Sequence, residues 1–188
     1  MHLVLIGYRG SGKTSAGRAA AQTLGLDLVD LDHAVRAKFD GRSIANVWAT
    51  EGEPAFRKAE AEAFAEQLDR ETPIVLATGG GAVMTPDTAT RLDRARAQHA
   101  AWCAYLHATA DVLAARIAGD TGTAAERPSL TGAPPASAGA VEEVASVLTQ
   151  RESTYRKLAD VVIDATADLD QVAAQLVDGY RSAPNAAS

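Results

Sequence analysis

Apolar residues gather in short runs, separated by longer stretches in which they recur every three or four positions. The runs are HLVLIG (2–7), LDLVDLD (26–32), PIVLATG (73–79), WCAYLHA (102–108) and DVVIDA (160–165). They are strand-sized and rich in Val, Ile and Leu. Strands buried on both faces read this way, which points to a parallel sheet covered by helices. Helical periodicity falls over 13–24, 32–39, 43–50, 53–69, 86–97, 110–118, 139–157 and 169–181. Gly25 follows the first of these, and Ser43 and Thr109 stand where side-chain oxygens cap later ones. Strands alternating with helices predict an α/β domain of βαβ units.

Two segments interrupt the pattern. Residues 119–139, GDTGTAAERPSLTGAPPASAG, are dominated by Gly, Pro, Ser, Thr and Ala. A loop of that length inside a compact domain is a lid, a binding loop or a disordered segment. The tail 182–188, SAPNAAS, reads as flexible. With 188 residues the chain suffices for one buried core and is short for two, so a single domain over 1–181 is expected.

Charge and cysteine content narrow the function. The net charge of −6 leaves no global positive field for nucleic acid or an anionic membrane, so any anion must be held by a local basic cluster. Cys103 is the only cysteine and lies in an apolar run. It reads as a small core residue, and the absence of any internal disulfide fits a reducing cytosol. The opening MHLVLIG is too short to span a membrane and lacks a basic leader, so neither a signal peptide nor an anchor is expected.

The strongest chemical signal is GYRGSGKT at 7–14, which fits G-x-x-x-x-G-K-[ST] between a strand and a helix. Glycines let consecutive N–H groups converge on phosphate oxygens, and the following helix adds the positive end of its dipole. Lys13 reaches the β- and γ-phosphates in this motif, and the Thr14 hydroxyl holds Mg²⁺. A nucleoside triphosphate, ATP above all, with Mg²⁺ is the expected ligand of Gly10, Ser11, Gly12, Lys13, Thr14 and Ser15.

Four further features have two readings each. Asp30 and Asp32 sit in VDLDH. In an extended chain both face one side, at the sheet edge where ligands bind in this architecture. One would then hold Mg²⁺ through water and the other meet an acceptor hydroxyl; the alternative is a polar strand end capping the next helix. Arg57 has Glu53 four residues before and Glu60 three after, which alone reads as surface ion pairing. The glycines of TGGGAV (78–83) suggest close approach of the backbone to a ligand or loop. Arg9 either lines a pocket or faces solvent, and His33 reads as a solvent-facing residue at a helix start.

In order and spacing, GYRGSGKT, DLD (30–32), GEPAFR with Glu60, GGGAV (79–83), RP (127–128) and RESTYRKLAD (151–160) resemble the shikimate kinase family over residues 2–181. That resemblance implies the three-layer P-loop kinase fold of nucleoside-monophosphate kinases. Such a fold has five parallel strands in the order 2-3-1-4-5, an acceptor-binding region over 31–60 and a mobile lid over 119–139. It implies ATP-dependent phosphorylation of the 3-hydroxyl of shikimate, with Mg²⁺, by a cytoplasmic monomer. Asp32 matches the residue that meets the shikimate hydroxyls and accepts the proton, and Asp30 the Mg²⁺-linked carboxylate. Arg57 and Arg151 match the pair that grips the shikimate carboxylate, helped by the backbone at Gly79, Gly80 and Gly81. Glu60 matches the group that orients Arg57, Arg127 the lid arginine on the phosphates, and Arg116 the residue against adenine. Tyr155 reads as packing for its helix turn. The lid is longer than the family's usual one, RPSL replaces RPLL, and Trp48 stands where Phe is common. Rival readings are a gluconate or nucleoside-monophosphate kinase, or a regulatory module that binds ATP without transferring it.

Overall fold

The computed structural model describes residues 1–120 and 140–184. Most of the predicted lid, with Arg127, and the end of the tail lie outside the described residues. The five apolar runs form one sheet in the order β2-β3-β1-β4-β5, every neighbouring pair parallel. The strands are β1 (His2–Ile6), β2 (Asp27–Asp30), β3 (Ile74–Ala77), β4 (Ala101–His107) and β5 (Val161–Asp164). β1 lies at the centre, with Val4 in register with Leu76 of β3 and Cys103 of β4. Parallel pairing puts every strand's C-terminal end on one edge, where all five following loops meet.

Burial separates the centre of the sheet from its margins. β1 and β3 are buried at every position, and β4 at all but His107. The edge strands depart from the both-face burial read from sequence: β2 is exposed to half-buried and β5 buries only Ile163. An edge strand has one neighbour and thinner helix cover, so its apolar run fixes a strand without fixing its depth.

Among the described residues seven helices cover the sheet: α1 (Lys13–Leu24), α2 (Leu31–Ala37), α3 (Ile44–Leu68), α4 (Pro86–Ala97), α5 (Ala110–Gly119), α6 (Ala140–Leu158) and α7 (Leu169–Ser182). Ser43 caps α3 by accepting the Asn46 N–H. Thr109 occupies the cap position of α5 but its side chain makes no capping bond. α7 buries Val172, Ala173, Leu176, Val177 and Tyr180, a stripe at helical spacing. Each of the larger of these contributes about 1.5–3 kcal/mol relative to exposure.

Two local breaks matter for the site. β2 stops at Asp30 because the Asp30 carboxylate accepts the N–H groups of Asp32 (3.0 Å) and His33 (3.4 Å) and so caps α2. The two-residue spacing of Asp30 and Asp32 is therefore not that of an extended strand; Asp32 lies in the first turn of a helix. α3 is interrupted at Gly52 (φ 83°, ψ 161°), a left-handed φ that L side chains rarely adopt. The interruption agrees with the two separate periodic stretches seen in the sequence.

α7 packs so tightly that a Cβ on Gly179 would lie 2.5 Å from the Trp102 ring. Alanine gains about 1 kcal/mol over glycine in a helix, whereas overpacking a rigid buried ring costs about 1–3 kcal/mol. Gly179→Ala is therefore expected to lower urea-unfolding stability by about 1 kcal/mol. The same change made in a Trp102→Leu background is expected to be neutral or stabilising.

Candidate active site

β1 runs buried to Ile6 and then opens into the glycine loop, and α1 begins at Lys13. Lys13 is buried, and its ammonium donates to the Gly7 carbonyl (2.9 Å), the Tyr8 carbonyl (2.8 Å) and Ser11 Oγ (3.3 Å). Three oxygens of its own loop thus hold the charge where phosphate oxygens can replace them. Ser15 is exposed on the first turn of α1, and Gly12 is exposed just before it.

The Thr14 hydroxyl donates to Asp30 Oδ2 at 2.8 Å. Its proton is thereby directed to the carboxylate, and its lone pairs remain for a cation. Two hard oxygen donors beside a phosphate loop suit Mg²⁺, which takes one or two protein oxygens and completes its shell with water and phosphate. No cluster of three or more His, Cys, Asp or Glu ligands exists among the described residues, so a cage supplied by protein alone is absent there. The same Asp30 carboxylate caps α2, so it ties the phosphate loop to the helix bearing Asp32.

The glycine triplet after β3 is the point of convergence. A Cβ on Gly79 would lie 2.7 Å from Asp32 Oδ1 and 2.9 Å from Glu60 Oε1. One on Gly81 would lie 2.8 and 2.9 Å from the two terminal nitrogens of Arg57. One on Gly80 would meet the Arg9 backbone nitrogen at 3.0 Å, inside the phosphate loop. From the far side, Arg151 Nη1 donates to the Gly80 carbonyl at 3.1 Å, and the Tyr155 hydroxyl donates to the same oxygen. Asp32, Arg57, Arg151 and the three glycines are thus one constellation against the phosphate loop.

Each arginine has its own support. Arg57 pairs with Glu60 at 2.7 Å and Glu53 at 3.2 Å. Its guanidinium carbon lies 5.6 Å from the Trp48 ring centre and 5.4 Å from that of Phe56, at cation–π range. Nine residues of unbroken helix would separate Trp48 from Arg57 by about 13.5 Å; the turn at Gly52 brings them together. Arg151 lies 5.7 Å from the centre of the Tyr8 ring. Glu60 is only 2 % exposed. Burial pushes its carboxyl above the ordinary 4.5, while the Arg57 guanidinium pulls it back down.

Other residues singled out in the sequence fall as follows. Arg116 donates to the Ala165 carbonyl at 2.8 Å, on a helix that packs against Gly10. Arg9 does not simply face solvent, since its Nη2 is buried. His33 is exposed. Cys103 is fully buried, and burial raises its thiol far above the reactive range. Arg127 lies outside the described residues. Tyr8, Trp48 and Phe56 carry contacts to the two arginines that the sequence did not show. Tyr8 occupies a free position of its motif, and only the family's habit of Phe at 48 hinted at an aromatic wall.

A shikimate kinase family model matches residues 9–181. The chain is 38 % identical over 185 residues to a shikimate kinase of Rhodopirellula baltica, covering 98 % of this chain and 91 % of that one. It is 41 % identical over 175 residues to one of Oleidesulfovibrio alaskensis, covering 93 % and 94 %. Among solved structures, a shikimate kinase of Acinetobacter baumannii in complex with shikimate superimposes with a TM-score of 0.78 at 28 % identity, over 97 % of this chain and 95 % of that one.

Glu60 has a consequence for stability. Its native carboxyl titrates above the ordinary 4.5, so the native state holds that proton more tightly than the unfolded chain does. Its contribution is fully present below 4.5 and is lost as pH rises through the native value. Subtracting the unfolding free energy of Glu60→Gln from that of the parent, in urea across about pH 4–8, is expected to give a difference that falls as pH rises. A flat or rising difference would contradict the direction of the shift.

Proposed function

We propose a residue-level mechanism for this chain, which belongs to the shikimate kinase family and transfers a phosphoryl group from ATP to shikimate. The acceptor docks against Gly79–Gly81 with its carboxylate between Arg57 and Arg151. A guanidinium presents two parallel N–H donors to a carboxylate, which an ammonium cannot do. The 3-hydroxyl then faces Asp32, which accepts its proton as the oxygen attacks the γ-phosphorus. The new P–O bond forms as the bond to the β-phosphate oxygen breaks, and ADP leaves. Such a transfer depends chiefly on in-line positioning and neutralised charge.

On the donor side, the loop N–H groups of Gly10–Ser15 cradle the triphosphate, and Lys13 exchanges its loop carbonyls for phosphate oxygens. Arg127 would add charge from the lid, and Arg116 would border the adenine. Thr14 and, through water, Asp30 would hold Mg²⁺, which when bound supplies charge neutralisation on the β- and γ-phosphates. One observation carries this reading: Asp32, Arg57 and Arg151 all meet the glycine triplet, which itself presses on the phosphate loop. The lone, buried Cys103 supports a reducing, cytosolic setting.

The test is a coupled ADP-release assay with ATP and Mg²⁺, run with shikimate, gluconate, AMP and no acceptor. Release is expected above background with shikimate alone; equal or faster turnover of gluconate or AMP would overturn the acceptor assignment. Asp32→Asn is expected to lower kcat about 100-fold or more while ATP affinity stays within about twofold. Near-normal kcat in that variant would remove Asp32 from proton transfer.

A further inference from the structure

We propose that Tyr155 is a positioning residue for the acceptor. By anchoring the Gly80 carbonyl it would fix both the Arg151 guanidinium and the Gly80–Gly81 peptide against which the acceptor carboxylate docks. The inference rests on the reading of the acceptor site given above. Arg151 and Tyr155 stand four residues apart on α6 and so share one face of the helix. From that face both donate to one oxygen, the carbonyl of Gly80. The Tyr155 hydroxyl therefore shares its acceptor atom with the end of a long arginine side chain.

The effect reaches the peptide itself. No peptide bond among the described residues is cis, and in a trans peptide C=O and N–H point in opposite directions. Holding the Gly80 oxygen toward α6 thus commits the Gly81 N–H to the opposite side. Gly80 and Gly81 carry no side chains to brace that peptide, so an outside anchor has most effect there.

Tyr155 is built to hold still. Its side chain is fully buried and stacks on Tyr105 with centroids 5.0 Å apart and an interplanar angle of 28°. Burial raises the phenol, so it remains a proton donor at neutral pH. A phenylalanine would fill the same volume and keep the stack. Only the hydroxyl reaches Gly80, and only the hydroxyl distinguishes positioning from core packing.

The experiment compares steady-state kinetics of Tyr155→Phe, Tyr105→Phe, Arg57→Ala, Arg151→Ala and the Arg151→Ala/Tyr155→Phe double variant. Tyr105 is the matched control, because its hydroxyl has no hydrogen-bond partner among the described residues. Tyr155→Phe is expected to raise KM for shikimate about fivefold, the value of one hydrogen bond. Its kcat and KM for ATP are expected to stay within about twofold, and Tyr105→Phe to match the parent. In the double variant the Tyr155 effect is expected to shrink, since most of it acts through Arg151. Unchanged KM for shikimate in Tyr155→Phe, a parallel change in all three constants, or the same effect from Tyr105→Phe would each overturn the role. If Arg57→Ala and Arg151→Ala raise KM for shikimate and Tyr155→Phe does not, only the Tyr155 role fails. If neither arginine variant raises it, the acceptor site and this inference fail together. Should Tyr155→Phe not fold, NMR on the parent protein decides. A slowly exchanging Tyr155 hydroxyl proton with a cross-peak to Gly80 or Gly81 is expected, and its absence overturns the proposal.

Discussion

Three consecutive residues without side chains let four groups share one small volume. At Gly79, Gly80 and Gly81 a methyl group would collide with Asp32 and Glu60, with phosphate-loop backbone, and with Arg57 in turn. Two of these partners are carboxylates, one a guanidinium and one main chain, so they cannot all retreat together. The site is therefore defined less by what the triplet contributes than by what it leaves out. Charged groups approach backbone instead of side chain, and backbone offers both donor and acceptor at that distance.

That approach concentrates charge in a protein whose net charge is −6. Arg57 is held between two aromatic rings and two carboxylates, one of them buried. Arg151 is held over Tyr8 and against a carbonyl. Neither arrangement is strong evidence for stability, since taking ions out of water costs several kcal/mol each before any attraction is counted. What it achieves is orientation. A guanidinium whose plane and stem are already fixed loses little further freedom when a carboxylate arrives. The buried Glu60 illustrates the cost, because its carboxyl is pushed toward the neutral form even with Arg57 beside it.

The sequence announced most of this architecture. β1, β3 and β4 were legible because central parallel strands are apolar at successive positions, and α1 because Gly25 marks its end. The phosphate loop was legible because its mechanism demands particular residues at fixed spacing. Asp32 has two readings in the sequence, an extended strand end or the start of a capped helix, and capping by Asp30 decides for the helix. The exposure of the edge strands was signalled locally only by Asp27, Asp30 and Asp164 within them. Tyr155 reads as packing from the sequence alone, since its bond to Gly80 spans 75 residues. Tyr8 was silent for the same reason, and the contact of Trp48 with Arg57 because it depends on the turn at Gly52.

The two halves of the site are joined at Tyr8. Its carbonyl holds the Lys13 ammonium, and its ring lies beneath the Arg151 guanidinium. In the proposed mechanism one residue of the phosphate loop is thus both part of the donor cradle and the floor of the acceptor site. The Gly80 backbone rests on the same stretch, from Gly7 to Arg9. Phosphoryl transfer tolerates little error in the separation of attacking oxygen and phosphorus. A fold that built its two pockets on independent loops would need a further element to hold that separation. Here it follows from β1 and β3 being neighbours, with the loops after them pressed together at the same edge of the sheet.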